Sequence, residues 1–355
     1  MARLLSLLSL AALLSPKLGY TQGDFPIAPG SGLPPQESAA AMSVPEGFRA
    51  QLFAGEPDIH QPIAFTIDER GRLWVVENYS YPDWSPYGRD RVVILEDTDG
   101  DGSFDTRKVF YDQLNFASAI AVGHGGAWVG SAPYLLFIPD RNDDDSPDGP
   151  PQVVLDGWGY QDTHETLNSF MWGPDGWIYG LQGVFTHSLV GKPGDAAEDR
   201  HRLRAGVWRY HPQRHTFEIF ASGGSNQWGI DYNEIGDMFM THCRSFHGGG
   251  GTTYVIPNAH FWNQANSDYA PFISNREADF APDLKNYLPS SARYDSGEGG
   301  AGKPGTTAVY GGHSHVGTMI YLGDNWPDAY RDHLFTNNLH GQQINHQHNV
   351  RQGSA

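Results

Sequence analysis

A chain of 355 residues that is 39% hydrophobic and 13% aromatic can bury a large core, which excludes a disordered protein and leaves one big domain or two ordinary ones. The formal charge of -18 argues against nucleic acid as a partner, because that binding rests on Lys and Arg displacing counterions. The single cysteine, Cys243, excludes an internal disulfide and reads as a buried thiol rather than a nucleophile.

Residues 1–23 read as an export signal: Arg3 gives a short basic start and LLSLLSLAALLS an apolar run too short to span a bilayer. Residues 24–43, rich in Gly, Pro, Gln and Ser, read as a flexible leader to a domain over 44–355. The expected location is the periplasm or the cell surface.

From Val44 the pattern is one of short strands. Phe48–Ala54 alternates, and a unit then recurs in which an apolar strand, a turn with Asp or Gly, and a second apolar strand follow one another. Its copies are PIAFTIDERGRLWVVEN (62–78), SAIAVGHGGAWVGSA (118–132), NSFMWGPDGWIYGLQ (168–182), QWGIDYNEIGDMFMTH (227–242) and VGTMIYLGDNWPDAYRDHLFTNN (316–338). Further strands follow, such as RVVILED (91–97), YLLFIPD (134–140) and GVWRYHP (206–212). Aligning the turns superposes Trp74, Trp128, Ile178 and Phe239, roughly fifty to sixty residues apart, the spacing of four-stranded propeller blades. The predicted fold is an all-β propeller of six-bladed type. About five blades are present, with Phe48–Ala54 as the closing strand and the C-terminal closure missing. Residues 248–312 are expected as a long irregular loop over the propeller mouth.

DTDGDGSFD places Asp97, Asp99 and Asp101 at alternate positions, then a glycine, then Asp105. Hard oxygen ligands with a glycine for the sharp turn follow calcium-loop logic, although Lys108 stands where an EF-hand has its bidentate glutamate. The alternative is an acidic turn without an ion. RNDDDSPDG (141–149) is a second acidic turn that lacks the alternation. Among the sixteen histidines, His313 and His315 are two apart, so on a strand they face one side, and His340, His346 and His348 follow. Inner strands of a propeller line one channel. His164, His313 and His315 could therefore converge as a metal site or a general base, against packing roles for each alone. With one cysteine there is no haem attachment site, and the chain holds no G-x-S-x-G elbow, P-loop or HExxH.

HETLNSFMWGPDGWIYGLQG (164–183) resembles the region around the catalytic histidine of soluble quinoprotein glucose and sorbosone dehydrogenases, six-bladed propellers in which a histidine precedes a strand ending in Gly-Pro-Asp. Residues 311–345, GGHSHVGTMIYLGDNWPDAYRDHLFTNNLHGQQIN, with 48–82, are similar to a subgroup of large exported proteins of planctomycetes and verrucomicrobia, described as membrane-bound dehydrogenases. Their propeller is followed by helical repeats and a haem-binding cytochrome c-like domain. The resemblance covers about residues 44–354. It implies that His164 is the base removing a substrate hydroxyl proton while hydride passes to pyrroloquinoline quinone, with Asn168 and Gln182 lining the same pocket. The interval from His164 to Gly173 is one residue longer than in that family. Asn226 falls near the family's Arg-Asn-Pro-x-Gly turn, with Ser225 where arginine is usual. The quinone's three carboxylates would need cations, for which Arg244 and Lys303 are candidates. His313, His315 and His340 belong to the subgroup's own motif and are carried as cofactor-binding candidates. Ca²⁺ would support the fold or the cofactor, and electrons would leave to a cytochrome c-type acceptor outside this chain.

The expected function is thus quinone-dependent oxidation of a sugar or other alcohol. A second reading is a non-catalytic propeller that binds glycans or proteins, with Trp158, Tyr160, Trp228 and Trp262 stacking on sugar faces. A third is a metal-dependent hydrolase built on converging His, Asn and Asp ligands.

Overall fold

The computed structural model describes residues 32–82, 84, 88–242, 252–261, 315–338 and 343–350. The expected export signal lies outside them, and so does most of the expected mouth-covering loop. The chain divides into two compact units, Met1–Ile59 and His60–Ala355. In the first, part of the expected flexible leader is a short helix, α1 (Pro35–Ala41), with a proline in the first turn where its missing N–H costs nothing. Phe48–Ala54 belongs to no sheet among the described residues. Among the described residues no helix is long and apolar enough to cross a membrane.

The second unit is an all-β propeller with about five blades. Blade one is β1 (Pro62–Ile67), β2 (Leu73–Glu77), β3 (Asp90–Glu96) and β4 (Thr106–Leu114). Blade two is β5 (Ala117–Val122), β6 (Gly126–Ser131), β7 (Tyr134–Pro139) and β8 (Gln152–Asp156). Blade three is β9 (Asn168–Trp172) and β10 (Ile178–Gln182), a small ladder of β11 (Ser188–Val190) with β12 (His201–Leu203), then β13 (Gly206–His211) and β14 (Thr216–Gly223). Blade four is β15 (Gln227–Tyr232), β16 (Met238–His242) and β17 (Thr252–Val255), after which β18 (His260–Phe261) pairs parallel to β14. Blade five is β19 (His315–Ile320), β20 (Leu334–Asn338) and β21 (Gln343–Gln347). Each sheet is ordered as its strands occur in sequence, and β1, β5, β9, β15 and β19 are successive neighbours, so they form the inner ring. The expected loop 248–312 therefore starts too early. Thr252-Thr-Tyr-Val255 is β-branched and aromatic, and it completes blade four.

The core lies between blades, where the faces of adjacent sheets meet. Trp74, Val76 and Ile94 of blade one pack on Ile120, Val129 and Ile138 of blade two. Trp128, Leu135 and Leu155 meet Leu167, Ile178 and Trp208 of blade three. Tyr179, Leu181 and Val207 meet Ile230, Met238 and Met240 of blade four. Second strands are covered on both faces, as β6 and β10 show by being buried throughout. Each such large side chain contributes about 1.5–3 kcal/mol when fully buried.

Because neighbouring strands within a blade run antiparallel, the connections among the described residues fall on two edges of the ring. The first edge carries residues 78–89, 115–116, 132–133, 157–167, 183–205 and 224–226, at the starts of the inner strands. The second carries the tight turns 68–72, 97–105, 123–125, 140–151, 173–177 and 321–333. Gly71, with φ 78°, makes the first of these turns, a conformation that costs any other residue strain. At the first edge Asp90 joins blades one and two by accepting hydrogen bonds from Ser80 and from Ala117 N at 2.9 Å.

Candidate active site

His164 lies on the 157–167 connection that enters β9. Asp162, two residues earlier, accepts both the His164 backbone N–H and the ring Nδ1–H, each at 3.0 Å. A carboxylate can only accept, so the proton sits on Nδ1 and the Nε2 lone pair points away from Asp162. The side chain is 66% exposed and its ring meets Tyr81 edge-on at 5.5 Å. Tyr81 is held above the usual phenol value by burial and by the Asp162 charge. Thr163 Oγ1 donates to Pro82 O at 2.7 Å, so the 157–167 connection is fastened to the 78–89 connection of blade one.

Next to this exposed pair stands a fully buried acid. Glu165 is 0% exposed; its Oε1 accepts the Phe185 N–H, and its Oε2 has no hydrogen-bond partner. Burial, and then the Asp162 charge, push it up to about 8. At neutral pH it is a neutral carboxylic acid. Gly183 must be glycine, because a Cβ there would meet Glu165 Oε2 at 2.4 Å.

Asn168, Gln182 and Asn226 all reach this edge, and their amides hold backbone. Asn168 Nδ2 donates to Glu165 O at 3.0 Å and its Oδ1 accepts from Ser169 Oγ. Gln182 Nε2 donates to Thr186 O and Leu203 O while its Oε1 accepts from Ser188 Oγ at 2.6 Å. Asn226 Oδ1 accepts from Val184 N at 3.3 Å. Arg204 Nε donates to Val184 O at 3.0 Å. Segment 183–188 is thus fastened by Glu165, Gln182, Asn226 and Arg204, and by Asp162, whose backbone bonds Thr186 Oγ1.

The same two connections build an aromatic cleft. Trp84 and Tyr160 stack at 4.7 Å and 14°, with Trp84 Nε1 anchored to Ala132 O at 3.0 Å. With Tyr111, Gln113, Asn115 and Tyr134 they line a cavity of ≈ 490 Å³. Tyr160 is the one ring of the expected sugar-stacking set that takes part. Trp158 is fully buried against Trp208, where no ligand reaches it; Trp228 is half-buried, and Trp262 lies outside the described residues.

The acidic turns lie on the second edge, opposite His164. Asp97, Asp99 and Asp105 bring carboxylate oxygens within 4.8 Å of one another, and Asp101 is not in that group. Asp97 accepts the N–H groups of Gly100 and Gly102, and Asp105 accepts from Thr98 N and Oγ1, which holds it below the usual carboxylate range. The second turn gathers Asp140, Asp143 and Asp145, but arginines occupy it: Arg72 bonds both Asp145 oxygens at 2.8 Å and Arg70 pairs with Asp143. Lys108 reaches across to Asp144 O at 2.8 Å.

His315 is buried at the start of β19, beside His242, which burial and then His315 push down to about 4. Inner strand β15 stands between β9 and β19, so His315 and His164 share the first edge from non-adjacent blades. Arg244, Lys303, His313 and His340 lie outside the described residues.

DUF7133, a domain of unknown function, matches residues 34–355. The chain belongs to this family. No curated protein sequence matches it. Among solved structures, a Thermus thermophilus protein described as an oxidoreductase (glucose dehydrogenase) is 14% identical with a TM-score of 0.47, over 81% of this chain and 78% of that one. The Streptomyces coelicolor aldose sugar dehydrogenase with pyrroloquinoline quinone bound is 14% identical with a TM-score of 0.47, over 81% and 76%. A Trichoderma reesei enzyme of carbohydrate-active family AA12 is 11% identical with a TM-score of 0.43, over 83% and 94%.

Sequence reasoning missed Asp162 and Trp84 in this DUF7133 site, and placed Glu165 on the approach to a buried strand without giving it a role. The D-x-H spacing was the available signal for Asp162. Nothing local marks Trp84 as the partner of Tyr160.

Proposed function

We propose that this propeller oxidises a sugar or other alcohol with His164 as general base. The observation that carries the reading is the Asp162–His164 pair: Asp162 takes the Nδ1 proton, leaving Nε2 as an acceptor on an exposed ring. Nε2 would take the hydroxyl proton while the carbon's hydride leaves to an acceptor, giving a carbonyl product. Asp162 then stabilises the imidazolium, as an oriented carboxylate does in other proton-transfer sites. The aromatic cleft on the same two connections favours a sugar, whose C–H faces stack on flat rings.

The resemblance supplies pyrroloquinoline quinone as the hydride acceptor, in a propeller of six-bladed type. Three carboxylates need cations. The side chains shown against His164, Asp162 and Tyr81, and the neighbouring Glu165 offer none, and Arg204 Nε is engaged by Val184 O. This described set does not fit the quinone by itself. Export to the periplasm or cell surface, Ca²⁺ at Asp97, Asp99 and Asp105, and a cytochrome c-type acceptor complete the reading.

The test is dye reduction by the full chain with quinone and Ca²⁺ on a panel of aldoses and alcohols. His164→Ala is expected to abolish turnover; undiminished turnover in that variant overturns the mechanism. A second reading, glycan binding without redox chemistry, is favoured by the Trp84–Tyr160 cleft alone. It would appear as saturable glycan binding that Tyr160→Ala weakens, with no dye reduction.

A further inference from the structure

On its outer side the seam between blades one and two opens into the cavity of ≈ 490 Å³. Leu114 and Leu136, buried members of the core that joins the two blades, give it an apolar base. Its lining runs from Asn115 back along β4 to Tyr111 and from Tyr134 along β7 to Leu136, so it extends about 7–13 Å along the strands at about 3.3 Å per residue. The Trp84–Tyr160 stack stands at the first edge. Tyr134 and Tyr160 remain 42% exposed, and Gln113 is exposed beside them, so rings, hydroxyls and an amide are open to a ligand. None of the described lining residues carries a charge, in a chain whose formal charge is -18.

We propose that this cleft holds the neutral sugar units next to the one that is oxidised, so that the substrate is a neutral oligosaccharide chain and not a free monosaccharide. The inference rests on the reading of His164 as the base. The cleft is continuous with that site: Trp84 follows Pro82, Tyr160 precedes Thr163, and the 2.7 Å bond from Thr163 Oγ1 to Pro82 O ties these segments together beside the His164 ring. Tyr81, Asp162 and His164 do not line it, so a sugar held there leaves the base to the unit that reacts. Flat rings take the C–H faces of sugars, while Gln113, Asn115 and the tyrosine hydroxyls answer sugar hydroxyls. An anionic sugar would bring a charge to a lining without a cation, and an apolar ligand would strip water from the amides without replacing its hydrogen bonds. Trp84 and Tyr160 hold each other, and Trp84 Nε1 is fixed on Ala132 O at 3.0 Å, so the platform is set before a ligand arrives and little side-chain freedom is lost on binding. The volume falls within the range of about 300–1,000 Å³ of small-molecule sites and exceeds what one sugar ring fills.

Binding is measured calorimetrically on the full chain carrying His164→Ala, so that no turnover consumes the ligand. Glucose, mannose and xylose are compared with their β-1,4-linked dimers to tetramers, and galacturonic acid with its trimer. In at least one neutral series affinity is expected to rise about tenfold or more from monomer to trimer, the worth of one or two ring contacts, while the galacturonic trimer gains nothing over its monomer. Tyr134→Ala removes an exposed ring outside the core and is expected to abolish most of that gain with an unchanged unfolding midpoint. Affinity independent of chain length, an equal gain for the galacturonic trimer, or an undiminished gain in Tyr134→Ala would each overturn the inference. Dye reduction by the native chain separates it from the reading it rests on. Length-dependent binding without dye reduction would retain the cleft and remove oxidation at His164, whereas dye reduction of monosaccharides with no gain from chain length would do the reverse.

Discussion

The buried acid beside His164 gives the sharpest quantitative test. Glu165→Gln replaces a carboxyl held at about 8, against an ordinary 4.5, with a group of the same shape that never ionises. The folded chain keeps that proton over the interval in which the unfolded chain has lost it, so stability falls as pH rises through the window. The penalty starts near 4.5, grows until about 8 and is constant above it. At about 1.4 kcal/mol per pH unit the whole interval amounts to at most about 5 kcal/mol. Glu165→Gln escapes it. Urea unfolding of both proteins between pH 4.5 and 8.5 is therefore expected to show a variant-minus-native difference that rises toward alkaline pH by several kcal/mol. Any constant cost of fitting an amide against Gly183 shifts the difference equally at all pH values, and the other raised carboxyls, Asp90, Asp140 and Asp231, cancel because both proteins have them. A difference that does not change with pH would refute the neutral-acid assignment.

Asp162→Asn should lower turnover far more than it alters substrate affinity, since it unsettles the His164 tautomer; equal turnover in the two proteins would show that Nδ1 needs no carboxylate. Tyr160→Ala should raise KM for a sugar by two- to tenfold, the worth of one ring contact of about 0.5–1.5 kcal/mol, with kcat nearly unchanged. Adding Ca²⁺ at about a hundred times its Kd should raise stability by roughly 2.7 kcal/mol, and Asp99→Asn should remove the increment; a calcium-insensitive unfolding midpoint would leave the Asp97–Asp105 turn ion-free. Arg72→Ala should cost about 3–5 kcal/mol, because the buried guanidinium answers Asp68 at 2.8 Å and both Asp145 oxygens; a loss below about 1 kcal/mol in denaturant unfolding would contradict that.

What was legible in the sequence is what local pattern encodes. Trp74, Trp128, Ile178 and Phe239, aligned by their turns, all fall in second strands of blades, because a strand covered on both faces must be apolar at successive positions. Thr252–Val255 shows the limit of the same signal, its short β-branched run hidden behind four glycines. At the site, His164 and the carboxylates of the Asp97 loop were visible because their spacing is local. The role of Glu165 was not, since its burial is created by segment 183–188 folding over it from eighteen residues away and more.

The division of the ring into two edges decides how far cations can influence chemistry. A five-residue strand such as β2, at about 3.3 Å per residue, separates the edges by roughly 16 Å, twice the screening length of about 8 Å at physiological ionic strength. An ion at Asp97–Asp105 therefore exerts little direct field on the exposed His164 ring, and its contribution passes through the turn it closes. Chelation should lower the unfolding midpoint yet leave the His164-dependent rate unchanged at temperatures where the fold is intact. If removing the ion abolished turnover while circular dichroism and unfolding showed the propeller undisturbed, the ion would have to sit at the first edge, among the groups around His164.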